Sequence, residues 1–271
     1  MQLLLSGIAQ GCIYGLIALG FVLIYKATET VSFVQGDLMM LGAFTGLALV
    51  SGLGLSFWMA LPIAMLLLTC FGILLERVAI RPVLGEPAFT VVMLTIGVGY
   101  LARGIITMVP GVGADTLPLD APYKDELIAV GEANFSAEHL VIIVATVLLC
   151  GVLFALFRFT RIGIAMQAAS QNQLAAYYMG IPVRRINGLV WGLAASVAAV
   201  AGMLLAPITF VHSNMGMIGL KAFPAAVVGG FGSLPGAIAG GLVMASPNPS
   251  QDFIYLKVSR TCVRMSWCSS F

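Results

Sequence analysis

The sequence has few charged residues. They make up 9% of its 271 residues, whereas hydrophobic residues make up 60%, and the mean hydropathy is +1.05. A soluble domain carries about a quarter charged residues, so this composition excludes that class and predicts a polytopic membrane protein. The apolar runs are too long and continuous for barrel strands. The spanning elements are therefore expected to be helices of roughly 20 residues.

Motifs for catalysis and for nucleotide or metal binding are also missing. Without G-x-x-x-x-G-K-[ST], the chain has no P-loop with which to bind ATP. Neither His139 nor His212 has a second metal ligand nearby, and no Ser/His/Asp set or pair of carboxylates indicates an enzyme. We therefore expect no catalytic residue, no metal site and no cofactor. The net charge of +2 gives no indication of nucleic acid binding.

Apolar segments predict an all-α transmembrane bundle with about seven spans. They cover residues 3–25, 36–50, 57–75, 90–108, 140–157, 188–207 and 223–245. The second is short, and the last is punctured by glycine and proline. Arg103 lies in the fourth span, about five residues from its outer end, so we expect its side chain to snorkel to the headgroups.

The charges predict the orientation. Six of the eleven acidic residues lie between the fourth and fifth spans, whereas the other loops carry arginines. These acids are Asp115, Asp120, Asp125, Glu126, Glu132 and Glu138. Because loops rich in arginine stay in the cytoplasm, the acidic loop and the N-terminus are expected outside, and Lys26 inside.

Two glycine-broken apolar stretches, 32–46 and 213–241, lie in opposite halves of the chain. Paired interruptions of this kind indicate a transport site between two repeats. The candidate translocation residues are Ser32, Phe33, Gln35, Gly36, Asp37, Gly229, Gly230, Gly232, Ser233 and Gly236. A second interpretation stays open for each stretch: polar residues that merely cap the second span, and glycines that merely permit tight helix packing.

The segment between the fifth and sixth spans is polar and flanked by arginines. We predict a helix over residues 164–179, ended by Gly180 and Pro182. A plain connector needs only a few residues, and so this segment, 161–185, is expected to dock a partner, with Tyr177, Tyr178 and Met179 as an aromatic, adaptable end. The alternative is a plain connector.

Four blocks of sequence resemble the permeases of branched-chain amino acid ABC importers, in the family's order, over roughly residues 10 to 244. The blocks are Y-G-L-I-A-L-G-F-V-L-I-Y with S-F-V-Q-G-D-L-M-M-L-G-A-F, then E-R-V-A-I-R-P-V-L-G with T-I-G, then T-R-I-G-I-A-M-Q-A-A-S-Q-N-Q-L-A-A-Y-Y-M-G-I, and A-F-P-A-A-V-V-G-G-F-G-S-L-P-G-A-I-A-G-G. The resemblance implies a transport subunit in a bacterial inner membrane, spanning the lipid bilayer. Its implied partners are a second permease subunit, usually in a heterodimer, two cytoplasmic ATPases and a periplasmic substrate-binding protein.

The resemblance also implies a coupling helix within 161–185. Importers generally carry E-A-A-x-x-x-G there, and the matching positions here are Leu174, Ala175, Ala176 and Gly180, so the glutamate is replaced by leucine. Gln173 or Asn172 is a candidate substitute for that polar contact. The expected ATPase-coupling residues are Arg161, Gly163, Asn172, Ala175, Ala176, Met179 and Gly180.

The resemblance implies a permease domain over residues 1–245 and leaves a tail, 246–271, that departs from the family. The tail has no apolar run of spanning length, which suggests a truncation or a change of reading frame. Substrate also stays open, because related permeases carry urea, short amides or other amino acids. Two other classes remain: a secondary carrier that uses Asp37 as its ion site, and a non-transporting membrane scaffold.

Overall fold

The computed structural model describes residues 2–83, 85–109, 115–123, 127–130 and 133–245, so the predicted tail lies outside the described residues. The protein is an all-α membrane bundle, as predicted. Its helices are α1 Gln2–Thr28, α2 Gln35–Leu47, α3 Phe57–Leu75, α4 Ala88–Thr107, α5 Ala137–Phe159, α6 Arg161–Gln171, α7 Gln173–Tyr178, α8 Val183–Thr209, α9 Gly216–Gly229 and α10 Leu234–Met244. π-Helical turns Ala48–Gly52 and Glu76–Ile80 extend α2 and α3. A short antiparallel hairpin pairs β1, Leu127–Val130, with β2, Ala133–Ser136.

The described residues contain five helices that are long and apolar enough to span a membrane, or six if α9 and α10 count as one broken span. The expectation of seven spans is therefore corrected. α2 has only 13 residues, and the axes of α9 and α10 differ by 119°. The break follows from local chemistry: Gly230 has a φ of +81°, and the backbone N–H of Gly236 donates to the side chain of Ser233, 3.1 Å away, as α10 begins.

The core lies around α1 and α8. Both helices are largely buried, whereas α3, α4 and α5 expose most of their residues. α8 packs against α1, α2 and α3, and α1 packs against α9 and α10. α8 is rich in alanine and glycine, and small side chains let helix backbones approach closely.

The two ends of the bundle differ in charge. At one end, which we call the basic end, α1 and α5 finish and α6, α7 and α8 begin. Gln173 there donates to the carbonyl of Ala27, 2.9 Å away, and Arg81 donates to the carbonyl of Arg184, 3.1 Å away. At the opposite, acidic end, Tyr123 packs on Phe57. Asp125, Glu126 and Glu132 lie outside the described residues.

Candidate functional site

α2 begins inside the bundle, near the mid-height of the long helices. The backbone N–H of Phe33 donates to Thr95 Oγ1, 3.2 Å away on α4. One turn further along α4, Gly99 lies against the carboxylate of Asp37. Gly99 is close to the middle of α4, so α2 begins roughly halfway between the ends of that helix.

Contacts of Gln35 with α8 and α1 place the start of α2 at the same mid-height. Gln35 Nε2 donates to the carbonyl of Ala194, 3.1 Å away, and Ala194 lies two residues from Ser196, the middle residue of α8. The side chain of Gln35 also lies against Gly20 of α1. The non-helical residues just before α2 are therefore enclosed by protein at mid-height, the setting in which irregular backbone is tolerated inside a membrane. This geometry favours the interrupted-helix interpretation over capping at the membrane surface.

α2 and α9 cross with their backbones in contact. Gly36 and Gly219 are so close that a Cβ on either residue would overlap the other helix, including the carbonyl oxygen of Gly216. Glycine is required at this crossing because it has no Cβ. The sequence predicted a special backbone near Gly36, but it did not indicate its partners at the start of α9.

Asp37 and Arg103 form an ion pair beside this crossing. Arg103 Nε lies 2.6 Å from Asp37 Oδ1, and the two side chains are 18% and 8% exposed. The guanidinium also lies against Gly216. The expectation that Arg103 snorkels to the headgroups is therefore wrong. α2 brings the carboxylate of Asp37 next to α4, one turn before Arg103 on that helix, and this carboxylate is a stronger partner for the guanidinium than the headgroups.

Two buried polar atoms at this height have no hydrogen-bond partner among the described residues: Ser32 Oγ and Gln35 Oε1. Ser32 is 1% exposed and Gln35 is fully buried. Phe33, between them in sequence, is half-buried and packs on Phe223 of α9, with ring centroids 5.3 Å apart. Ser32, Gln35, Gly36 and Asp37 are thus buried within the subunit and do not line an open channel in this conformation.

The second group of predicted translocation residues lies elsewhere. Gly229, Gly230, Gly232 and Ser233 form the α9–α10 turn, and Gly236 packs on Gly229 across it. The turn lies at the basic end, where a cavity of about 450 Å³ is lined by Tyr25, Lys26, Glu29, Gln167, Ser170, Gln171, Phe231 and Gly232. The structure therefore brings together the 32–37 group and the start of α9, but not the 32–37 group and the 229–236 group. The assignment of both groups to the pathway stays a prediction.

The predicted coupling segment is two helices rather than one. Asn172 has extended backbone and separates α6 from α7, so the prediction of a single helix over 164–179 is corrected. The cause is side-chain capping: Asn172 Oδ1 accepts from the N–H of Ala175 at 2.9 Å. At the start of α6, Thr160 Oγ1 accepts from the N–H of Gly163 at 3.0 Å, and Gly163 packs directly on α5.

α7 ends at Tyr178, one residue before the predicted end, and Gly180 terminates it as predicted. Gly180 has a φ of +81°, and Ile181 N–H donates to the carbonyl of Ala176 at 3.0 Å, the bond of a Schellman motif. The motif leaves Tyr178 and Met179 77% and 82% exposed. Beside them a shallow cavity of about 210 Å³ is lined by Ala168, Gln171, Asn172, Ala175, Ala176, Met179 and Ile181. Arg161 is also exposed, and Ala176 is buried.

The segment is anchored to the bundle by a second ion pair. Arg81 NH2 lies 3.0 Å from Glu76 Oε2, and Arg81 Nε makes a second contact of 3.3 Å to the other carboxylate oxygen. Glu76 is fully buried. Because Arg81 also donates to the carbonyl of Arg184, the end of α3 is tied to the first turn of α8, where the coupling segment ends.

Lys221 is not among the sequence-based candidates. It lies on α9, two residues after Gly219, and its side chain is exposed. It lies within the predicted glycine-broken stretch 213–241 and is flanked by apolar residues on both sides. Within the described ranges, no group of three or more metal-ligating side chains is found.

The family model and the curated relatives indicate one family. The family model described as the permease component of the branched-chain amino acid transport system matches residues 3–255. The high-affinity branched-chain amino acid transport system permease protein LivH of Salmonella typhimurium is 30% identical over 258 residues, which covers 90% of this chain and 83% of that protein. The corresponding protein BraD of Pseudomonas aeruginosa is 28% identical over 263 residues, with the same coverage.

One solved structure, PsaBC from Streptococcus pneumoniae in complex with Fab, aligns with 16% identity over 95% of this chain and 96% of that one. Its TM-score of 0.38 is too low to carry an argument. The match to the family model spans nearly the whole chain and includes both the mid-height site and the α6–α7 segment. The chain therefore belongs to the family of branched-chain amino acid transport system permease components.

Proposed function

We propose that this chain is a permease subunit of an ATP-driven importer of branched-chain amino acids. With a second permease subunit, as a heterodimer, it forms the translocation pathway. Two cytoplasmic ATPases drive the cycle, and a periplasmic substrate-binding protein delivers the substrate. The chain lies in the bacterial inner membrane, with its basic end in the cytoplasm and its N-terminus outside, as the positive-inside rule favours.

The observation that carries the proposal is the exposed apolar surface of the coupling segment. Tyr177, Tyr178 and Met179 lie on a capped helix, held by Gly180, at the same end of the bundle as the arginines. Large exposed aromatic and methionine side chains are typical of a surface that receives a partner. The sequence has no P-loop, so ATP-driven transport by this chain requires a partner that binds the nucleotide.

A secondary carrier that uses Asp37 as an ion site is less favoured. Arg103 already provides the counter-charge of that carboxylate at 2.6 Å, so a cation would have to displace a guanidinium. Permeases for urea, short amides or other amino acids remain possible within the same mechanism, because the binding protein does most of the selecting.

The test is a double substitution, Tyr178→Ala with Met179→Ala, in the assembled transporter. Both side chains are largely exposed, and so stability should change by less than about 0.5 kcal/mol. We expect ATP-dependent leucine uptake into proteoliposomes to fall at least tenfold, because the ATPase loses its contact. Phe89→Ala is the matched control, since Phe89 is 69% exposed at the same end but outside the coupling segment.

Equal uptake in the double variant and the Phe89→Ala control contradicts the docking role of residues 161–185. Uptake by the purified chain alone, driven by an ion gradient without ATP, contradicts the importer itself.

A further inference from the structure

A cavity of about 600 Å³ lies at the basic end of the bundle, between α1, α5, α6 and the turn that joins α9 to α10. Its volume is within the range of about 300–1,000 Å³ that is typical of ligand pockets. The lining includes Gly232 and Ser233 of the turn, two of the predicted translocation residues. The size of the cavity therefore suits an organic ligand rather than a single ion.

Two cationic side chains line the cavity close to the basic end. Lys26 lies two residues before the end of α1, and Arg158 lies one residue before the end of α5. The guanidinium of Arg158 lies over the ring of Phe154, 5.8 Å from the ring centroid, and Phe154 is part of the same wall. Because an aromatic face attracts a cation, this contact holds the guanidinium at the cavity.

The positive charge of this cavity is not balanced by a carboxylate in its wall. No acidic side chain among the described residues lines it. The acids that form ion pairs within the described ranges are Glu76 and Asp37, and their partners are other arginines. Glu29 is exposed and lines an adjacent cavity that shares Lys26, but the two form no ion pair. The cavity is therefore complementary to an anionic group.

Neutral hydrogen-bond donors lie in the same wall. Ser233 Oγ accepts from the N–H of Gly236, and the hydroxyl group still has an O–H with which to donate. Gln167 Nε2 donates to the carbonyl of Phe157, 3.3 Å away, and the amide carries a second N–H. Such donors, together with a guanidinium and an ammonium group, suit the several acceptor oxygens of a phosphate.

The rest of the wall is mostly apolar and runs towards mid-height. On α1 the lining continues from Lys26 back to Leu19, and on α5 from Arg158 back to Cys150, distances of roughly 10–12 Å along the helix axes. Ile238 of α10 adds to this apolar part. A small soluble anion bound to the two cations would leave the apolar wall uncovered, whereas the acyl chains of a lipid would bury it.

We propose that this cavity binds one anionic phospholipid, with its phosphate at Lys26 and Arg158 and its acyl chains along α5 and α10. Basic pockets between membrane helices bind anionic headgroups, and in the proposed orientation the two cations lie at the cytoplasmic leaflet. The lipid contacts the coupling segment through Gln167 and the α9–α10 turn through Ser233. It therefore joins two parts of the bundle that the chain itself connects only through other helices.

The first experiment measures lipid binding by native mass spectrometry of the purified full chain in detergent. Dioleoyl phosphatidylglycerol should bind about tenfold or more tightly than dioleoyl phosphatidylcholine, because only the first has a net negative charge. The double variant Lys26→Gln with Arg158→Gln should lose this preference. Arg77→Gln is the matched control and should keep it, since Arg77 is exposed at the same end but outside the cavity. Equal binding of the two lipids by the unsubstituted chain, or an unchanged preference in the double variant, overturns the proposal.

The second experiment locates the lipid on the unsubstituted chain, so it does not depend on the folding of a variant. A phosphatidylglycerol with a diazirine in its acyl chain should label α5 between Cys150 and Phe157 and the first turns of α10, as mapped by peptide mass spectrometry. Unlabelled phosphatidylglycerol should suppress the labelling, whereas glycerol 3-phosphate and leucine should not.

Labelling spread evenly over α3, α4 and α5 contradicts a specific site. Suppression by glycerol 3-phosphate would show a site for soluble anions, and suppression by leucine would place the cavity in the substrate pathway; either result overturns the lipid assignment. Neither experiment requires ATP or uptake, so a failure of the proposed importer function leaves both measurements valid.

Discussion

The mid-height crossing of α2 and α9 and the coupling segment α6–α7 are built in opposite ways. At the crossing, the decisive contacts join residues 62 to 159 positions apart in sequence: Phe33 with Thr95 and Gln35 with Ala194. In the coupling segment, Asn172 caps a residue three positions away, and Gly180 ends the helix it follows. Long-range packing thus fixes the centre of the protein, whereas local backbone chemistry shapes the surface that we propose meets a partner.

The largest effect is expected from Arg103→Met. It leaves Asp37 buried without its partner, and removing one member of a buried ion pair costs about 3–5 kcal/mol. Thermal unfolding in detergent, followed by size-exclusion chromatography, measures the loss. The double variant Asp37→Leu with Arg103→Met should recover most of the stability, because no unpaired charge remains. If Arg103→Met alone is as stable as the unsubstituted chain, the pair does not hold the crossing.

A smaller effect is expected from Gly36→Ala. The added Cβ would overlap the carbonyl oxygen of Gly216, so α2 and α9 have to separate, at about 1–3 kcal/mol. The control is Gly97→Ala, where no heavy atom lies within 4 Å of the added carbon. That variant should be neutral or slightly stabilising, since alanine favours helices. Equal unfolding temperatures of the two variants would show that the crossing tolerates a methyl group.

The smallest effect on stability is expected from Asn172→Ala in the coupling segment. It removes the acceptor for the N–H of Ala175, and loss of an N-cap costs about 1 kcal/mol. Faster hydrogen exchange of the α7 amides is expected, with global unfolding barely changed. Asn172→Asp keeps an acceptor oxygen and should exchange like the unsubstituted chain. If Asn172→Ala lowers protection in the α2–α9 core as well, the two regions are not independent.

The same contrast explains what the sequence predicted. Composition predicted the membrane class, and the apolar runs predicted the approximate positions of the long helices. Gly180 predicted the end of α7. These features depend on residues that are close together in the sequence. The 164–179 helix was predicted without its break, since helix propensity alone did not show that Asn172 would cap the following turn. The blocks quoted from the sequence also identified the family correctly.

The centre of the protein was predicted less well, for a physical reason. Arg103 was assigned to the headgroups because its counter-ion is 66 positions away in sequence, and spacing along one helix does not show a partner on another. The span count was too high because an apolar run does not show whether its helix crosses the membrane: α2 has only 13 residues, and α9 and α10 meet at a bend of 119°.

The contact between Gly36 and Gly219 has a mechanical consequence. No side chain separates the two backbones, so neither helix can slide or rotate against the other by changing rotamers, the adjustment that lets packed helices shear. A displacement of α9 at this point would therefore displace α2 with it, because the two backbones are in contact. The ion pair of Asp37 with Arg103 links this crossing to α4, so a displacement of either short helix would also strain that contact.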